Sequence, residues 1–190
     1  PVIFTGSDGN QYVAAGARSG RFVCLNARGE LVWERDLRGA IASTISVSDF
    51  DSDGIADILV VTQLGMLYRF DETGRVIWDI DTQGRSLAAG AIVDVDGDSA
   101  LEYVLCTQNG NLLVFNQTGE ITFNHQFSNR TINVTAAFGD IVKTRPGLEF
   151  AITGGESGKV YCFGTAAPVN TAAPWRTYRR DNELTGCWSR

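Results

Sequence analysis

Short apolar runs of about five to seven residues, each ended by a glycine-bearing turn, pattern the chain from one end to the other. In one stretch Ser43 to Ser48 forms a first run, and Asp57 to Thr62 (Asp-Ile-Leu-Val-Val-Thr) a second. Gly65 then turns the chain into Met66 to Phe70, and Glu72-Thr73-Gly74 turns it again into Val76 to Ile80. β-Branched and aromatic residues dominate these runs, which predicts antiparallel strands. The unbroken run Ile58 to Val61 predicts strands buried on both faces, as in sheets stacked between neighbours. No segment longer than about ten residues carries a 3.6-residue period, so helix is essentially absent.

The pattern repeats. Gly20, Gly65 and Gly110 are spaced by 45 residues, and Gly158 follows after 48. The same 45-residue spacing joins Gly29, Gly74 and Gly119, then Trp33, Trp78 and Phe123, then Asp8, Asp53 and Asp98. A four-stranded unit repeating at this length is the signature of a β-propeller blade. The fold class is therefore all-β, with about four antiparallel repeats at 1–39, 40–84, 85–129 and 130–164. The first and last are expected to be incomplete: Pro1 falls within the first strand of its unit, and the fourth breaks off after a third strand, Lys159 to Phe163. The Thr, Arg and Pro inserted between Asp140 and Gly147 account for the longer last spacing. Residues 165–174, rich in Ala, Pro and Thr, read as an extended linker. Residues 175–190 form an aromatic and arginine-rich tail.

Two of the repeats carry an acidic loop between their first and second strands. Asp49, Asp51, Asp53 and Asp57 stand at positions 1, 3, 5 and 9 of one; Asp94, Asp96, Asp98 and Glu102 at those of the other. Alternating short acids in a tight loop supply the oxygen cage that calcium takes, and four carboxylates this close repel without a counter-charge. An EF-hand is excluded, because it needs a bidentate acid at position 12 and flanking helices. Position 12 from Asp49 is Val60, inside a strand.

The Asp49 to Asp57 loop, followed by Ile58 to Thr62 and Gly65 to Phe70, resembles FG-GAP/VCBS-type repeats, the calcium-loop propeller blades. The run Gly65 to Tyr68 leading through Gly74 to Trp78 is also similar to bacterial pyrroloquinoline-quinone-type propeller repeats. The tail Trp175…Tyr178-Arg179-Arg180-Asp181…Thr185-Gly186 resembles a segment of such secreted repeat proteins. The resemblance implies two Ca2+ sites: Asp49, Asp51, Asp53 and Asp57 with the Ile55 carbonyl, and Asp94, Asp96, Asp98 and Glu102 with the Ala100 carbonyl. Ser99 stands where the first loop has its turn glycine, which is expected to weaken or distort the second site. Units one and four depart from the pattern: Phe4, Gly6 and Tyr12 accompany Asp8, and Asp140 and Glu149 lack the alternation.

Composition narrows the partners. The formal net charge is −6, and two calcium ions would bring it to −6 + 2 × 2 = −2. Acidity without a clustered basic face argues against nucleic acid, and the absence of a run of about 18 apolar residues argues against a membrane span. The chain starts at Pro1 with neither Met nor a signal sequence, which reads as a processed form or a fragment. Cys24, Cys106, Cys162 and Cys187 show no zinc spacing; they permit two disulfides, with buried free thiols the competing reading for the first three. Asn116, Asn129 and Asn133 head N-glycosylation tripeptides. The first two fall in predicted turns, the third in the inner strand of unit four. Together these features point outside the cell, in secreted or cell-surface form.

Three function classes follow. The first is a non-catalytic, calcium-stiffened module for adhesion, scaffolding or self-assembly, its tail (Trp175, Tyr178, Arg179, Arg180, Trp188) docking within the chain or on a neighbouring subunit. The second is a carbohydrate-binding propeller that stacks surface glycan on Trp33, Trp78 and Phe123; interblade packing is the plainer role for those rings. The third is part of a larger propeller enzyme. The single histidine, His125, has no recognisable catalytic partner, and the cysteines lack the adjacent pair of the quinone enzymes. No catalytic role is expected.

Overall fold

The computed structural model describes residues 1–127, 132, 134–142, 144, 147–154, 159–174 and 187–188. Every element within them is a strand. The first sheet holds β1 (Val2–Thr5), β2 (Gln11–Gly16), β3 (Arg21–Asn26) and β4 (Leu31–Asp36); the second holds β5 (Ser46–Ser48), β6 (Asp57–Val61), β7 (Met66–Asp71) and β8 (Val76–Asp81). The third holds β9 (Ala91–Val93), β10 (Glu102–Cys106), β11 (Asn111–Phe115) and β12 (Ile121–Gln126); the fourth holds β13 (Ala137–Gly139), β14 (Glu149–Gly154) and β15 (Lys159–Gly164). Consecutive strands pair antiparallel throughout, and β16 (Cys187–Trp188) adds to β1 in parallel. Each sheet is a propeller blade.

Both faces of a middle blade are buried, and its strands show why. In β10 and β11, Tyr103, Leu105, Leu113 and Phe115 point into a core shared with blades one and two. The intervening Val104, Cys106, Leu112 and Val114 point into a second core with Phe138, Phe150 and Ile152 of blade four. The period-two alternation of a strand thus serves two interfaces with one sequence.

Tryptophans tie blades together. Trp33 Nε1 donates to the Glu72 carbonyl at 2.9 Å, and Trp78 Nε1 to the Gln117 carbonyl at 3.0 Å, each in the β3–β4-type turn of the following blade. A glycine lies under each ring: a Cβ on Gly74 would sit 2.6 Å from the Trp33 indole, and one on Gly119 3.2 Å from that of Trp78. Both glycines also hold positive φ, 78° and 86°. Close approach and backbone conformation therefore demand glycine twice over.

The structure corrects several boundaries. Blade one is not truncated: all four of its strands are present, and β16 makes a fifth, with Ile3 opposite Cys187 and Phe4 opposite Trp188. The first strand of blade two shrinks to Ser46–Ser48, because Ser43 turns its Oγ to the Val61 carbonyl (2.9 Å). Segment 165–174 is no free linker. Leu148 N–H donates to the Ala167 carbonyl and Asp94 N–H to that of Ala172, and Ala167 is buried. Blade four begins its inner strand at Ala137; Asn129 and Asn133 lie outside the described residues, as do Trp175, Tyr178, Arg179 and Arg180.

Trp33→Ala should cost about 3–5 kcal/mol by cavity formation. Trp33→Phe, which mainly loses the hydrogen bond, should cost about 1 kcal/mol. Urea unfolding of the two variants checks the ordering, and equal losses would show that the indole N–H carries the contact.

Candidate functional site

The residue at the head of the second strand of each blade (Tyr12, Asp57, Glu102, Glu149) fixes the loop before it. Three of the four are carboxylates that accept a backbone N–H from just beyond the first strand: Phe50 to Asp57 Oδ2 at 2.9 Å, Val95 to Glu102 Oε2 at 2.8 Å and Ile141 to Glu149 Oε2 at 2.8 Å. Glu149 accepts Val142 N–H as well, at 3.0 Å. Tyr12 has no carboxylate, so the arrangement inverts. Its hydroxyl donates to Asp8 Oδ2 at 2.7 Å, and with both nitrogens of Asn10 this holds the Asp8 carboxyl below its usual range.

In the first acidic loop, oxygens of Asp49, Asp51 and Asp53 lie within 4.8 Å of one another. Gly54 N–H caps Asp49 and Ile55 N–H caps Asp53, while Asp49 Oδ1 and Asp51 Oδ1 are buried without a hydrogen-bond partner. The fourth expected ligand does not join them. Asp57 is gripped by Arg69, Nε to Oδ1 at 2.8 Å and Nη2 to Oδ2 at 2.9 Å, and the same guanidinium reaches Asp51 and the Gln117 carbonyl (3.0 Å). Arg69 is 4% exposed, with its guanidinium carbon 5.4 Å from the centre of the Phe50 ring. Burial pushes the Asp57 carboxyl up to about 6 against the pull of Arg69. Burial also works against the charge on Arg69, but its bonds to Asp57 and Asp51 outweigh it and hold its pKa above the ordinary value.

The second loop keeps its acids and lacks the cation. The residue 45 after Arg69 is Val114. Oxygens of Asp94, Asp96 and Glu102 converge within 4.8 Å, with Asp94 and Glu102 buried. Burial, together with repulsion from Asp96, Asp98 and Asp94, pushes the Glu102 carboxyl to about 7. Asp98 stays outside the trio, its Oδ1 accepting Ala100 N–H at 2.7 Å. Ser99 does not distort the loop. It takes φ 76° where Gly54 takes 84°, and Gly97 takes 86° where Ser52 takes 62°, so each loop carries one glycine and one serine in left-handed conformation.

Other expected site residues have structural work. The Trp33 and Trp78 rings are committed between blades, while Phe123 is 48% exposed. His125 meets the rings of Phe127 and Phe163 edge to face. Asn116 lies in the β11–β12 turn, its Oδ1 accepting from Thr118 and Glu120 N–H. Cys24, Cys106 and Cys162 are free thiols on strands of three different blades, so the four cysteines do not form two disulfides; the first two are buried, which pushes both thiols up to about 12. Arg69 itself was not singled out from sequence. The signal was there: a lone cation in the buried run Met66 to Phe70, replaced by Cys24 and Val114 in the flanking units.

The fold and repeat define a β-propeller. The lambda-carrageenase beta-propeller domain profile matches residues 12–145, and the chain belongs to that family. No curated protein matches significantly. Among solved structures the chain is similar to BBS1N, crystallised in complex with ARL6DN, at TM-score 0.65 and 15% identity over 87% of this chain and 50% of that one. It is similar also to BamB from Moraxella catarrhalis (0.59, 20%, 90% and 48%) and to the C-terminal WD40 domain of Sif2 (0.57, 19%, 84% and 41%). At these identities the likeness shows the fold alone. The chain spans about half or less of each of these structures.

Arg69→Met should destabilise the protein by about 3–5 kcal/mol, because it strands the buried Asp57 charge. The double variant Arg69→Met/Asp57→Asn should recover most of that loss in chemical denaturation. Additive losses would refute a coupled pair.

Proposed function

We propose that this chain is a non-catalytic, extracellular β-propeller module whose acidic loops bind calcium, so that rigid blades present a fixed surface to a protein partner in adhesion, scaffolding or self-assembly. The carrying observation is the convergence of Asp94, Asp96 and Glu102 oxygens within 4.8 Å around a buried, strongly elevated carboxyl. Such a set fits a hard cation that takes many oxygens and neutralises them. In the first loop Asp49, Asp51 and Asp53 would hold the second ion, and the two orphaned oxygens of Asp49 and Asp51 support that assignment. Asp57 is engaged by Arg69 there, so the first ion site has fewer carboxylates than the sequence spacing implied. Calcium, when bound, supplies positive charge that fixes the hairpin between the first and second strands. The likeness of these loops to calcium-loop repeats supports the same reading. A protein partner is supported by the capture of one matched propeller in a complex.

A polysaccharide partner is the second reading, and it rests on the family name, which belongs to a carrageenase. In that reading the module serves a longer enzyme, and its sugar platform is not Trp33 or Trp78, whose rings pack between blades, the first buried and the second half-buried. Retardation in a carrageenan-containing native gel would favour it.

Calcium at about 100 times its dissociation constant should stabilise the protein by about 2.7 kcal/mol per bound ion relative to excess EDTA, read as a rise in melting temperature. Glu102→Gln should remove the share of one ion, and Asp8→Asn should leave the response intact. An unchanged melt in EDTA would sink the proposal.

A further inference from the structure

At the interface of blades two and three, Arg69 fills a defined space. Its guanidinium meets Asp57, Asp51, the Gln117 carbonyl and the Phe50 ring, beside the Trp78 indole that donates to the same carbonyl. One repeat later every one of these positions has a counterpart between blades three and four. Adding 45 gives Val95 for Phe50, Asp96 for Asp51, Glu102 for Asp57, Val114 for Arg69 and Phe123 for Trp78. Strand register makes the last match, because Phe115 and Phe163 occupy equivalent pairs with Tyr103 and Phe150, so Thr165 stands for Gln117.

Five of these counterparts, Val95, Asp96, Val114, Phe123 and Thr165, line one cavity of about 290 Å³, closed by Phe150 and Phe163. The cavity is lined at the positions where Arg69 and Trp78 stand one interface earlier, with valine in place of arginine and phenylalanine in place of tryptophan. Of the acids that received the guanidinium, the counterpart Asp96 lines the cavity, and a Glu102 oxygen lies within 4.8 Å of one of its own.

We propose that this cavity binds a guanidinium group on an aliphatic stem, the chemistry of an arginine side chain, brought either by a small molecule or by an exposed arginine of a protein segment. The apolar walls suit the stem. A planar, weakly hydrated guanidinium tolerates burial beside a carboxylate better than an ammonium does, and the aromatic walls favour it further. Calcium is the wrong occupant for this space, because it needs six to eight oxygens and the lining is mostly carbon. In blade two Asp51 serves the acidic trio and Arg69 together, so Asp96 can serve the loop and the cavity in the same way. The inference shares Asp96 and Glu102 with the calcium reading, and the test keeps the two apart.

Binding of N-acetylarginine amide and of its neutral isostere N-acetylcitrulline amide would be measured by NMR titration of the intact chain, in EDTA and in calcium. The arginine compound should bind at least tenfold tighter in EDTA, and Val114→Arg, which returns the guanidinium from within, should abolish the difference. A peptide with a central arginine separates the sources: tighter binding than the amide assigns a protein segment, equal binding a small molecule. Equal affinity of the two amides, or none for either, would overturn the inference. The melting response to calcium, recorded on the same samples, reports independently on the calcium reading.

Discussion

A sheet that is apolar on both faces can be buried only between two others of its kind, and this requirement governs the molecule. Blade three meets it fully, since the odd and even positions of β10 and β11 enter different cores. The same constraint explains the Trp33 and Trp78 contacts, which run from the outer strand of one blade to a turn of the next and fix how far each sheet slides over its neighbour. At the outer edge of the blades apolar side chains stay in water: Leu31 on β4 is 52% exposed, Ile121 on β12 50% and Val160 on β15 67%.

Burial between blades creates a second problem at the loop that joins first and second strands. A carboxylate at the head of the second strand is useful there, because it takes the backbone N–H groups that the loop leaves unpaired. Its charge must then be met at low dielectric. The blades solve this differently. Blade one replaces the acid with Tyr12 and reverses the hydrogen bond onto Asp8. Blade two brings a guanidinium across from β7. Blade four gives Glu149 two N–H donors. Blade three buries Glu102 and surrounds it with further acids, and burial first, then their repulsion, pushes its carboxyl up.

The 45-residue period was legible because its markers are set by local geometry. A left-handed turn demands glycine, and an indole laid on that turn forbids a side chain beneath it. The acidic loops were equally plain. Their ligand sets were not, because Asp57 is decided by Arg69 on another strand. Ser99 looked like a defect beside Gly54, but Gly97 compensates for it two residues earlier. Blade one looked truncated because its edge lies at Pro1, whereas Val2 and Phe4 already alternate into the core. The pairing of β16 with β1 joins residues more than 180 apart in sequence, and no local pattern encodes such a contact.

Repeats diverge at the cost of contacts they once shared in principle. Exchanging arginine for valine beside one buried and one more exposed acid loses the charge pair, and exchanging tryptophan for phenylalanine loses dispersion contacts and a donor. At the interface of blades three and four both exchanges coincide in space, yet Asp96 keeps its place on the opened volume, with the Glu102 carboxylate within 4.8 Å of its own. A neutral side chain at either position would have relieved the repulsion within the fold. Keeping the acids where no internal cation reaches them leaves a site whose electrostatic balance the two proposals would complete from outside the chain: an ion on the loop side, a stemmed cation on the cavity side, or both at once.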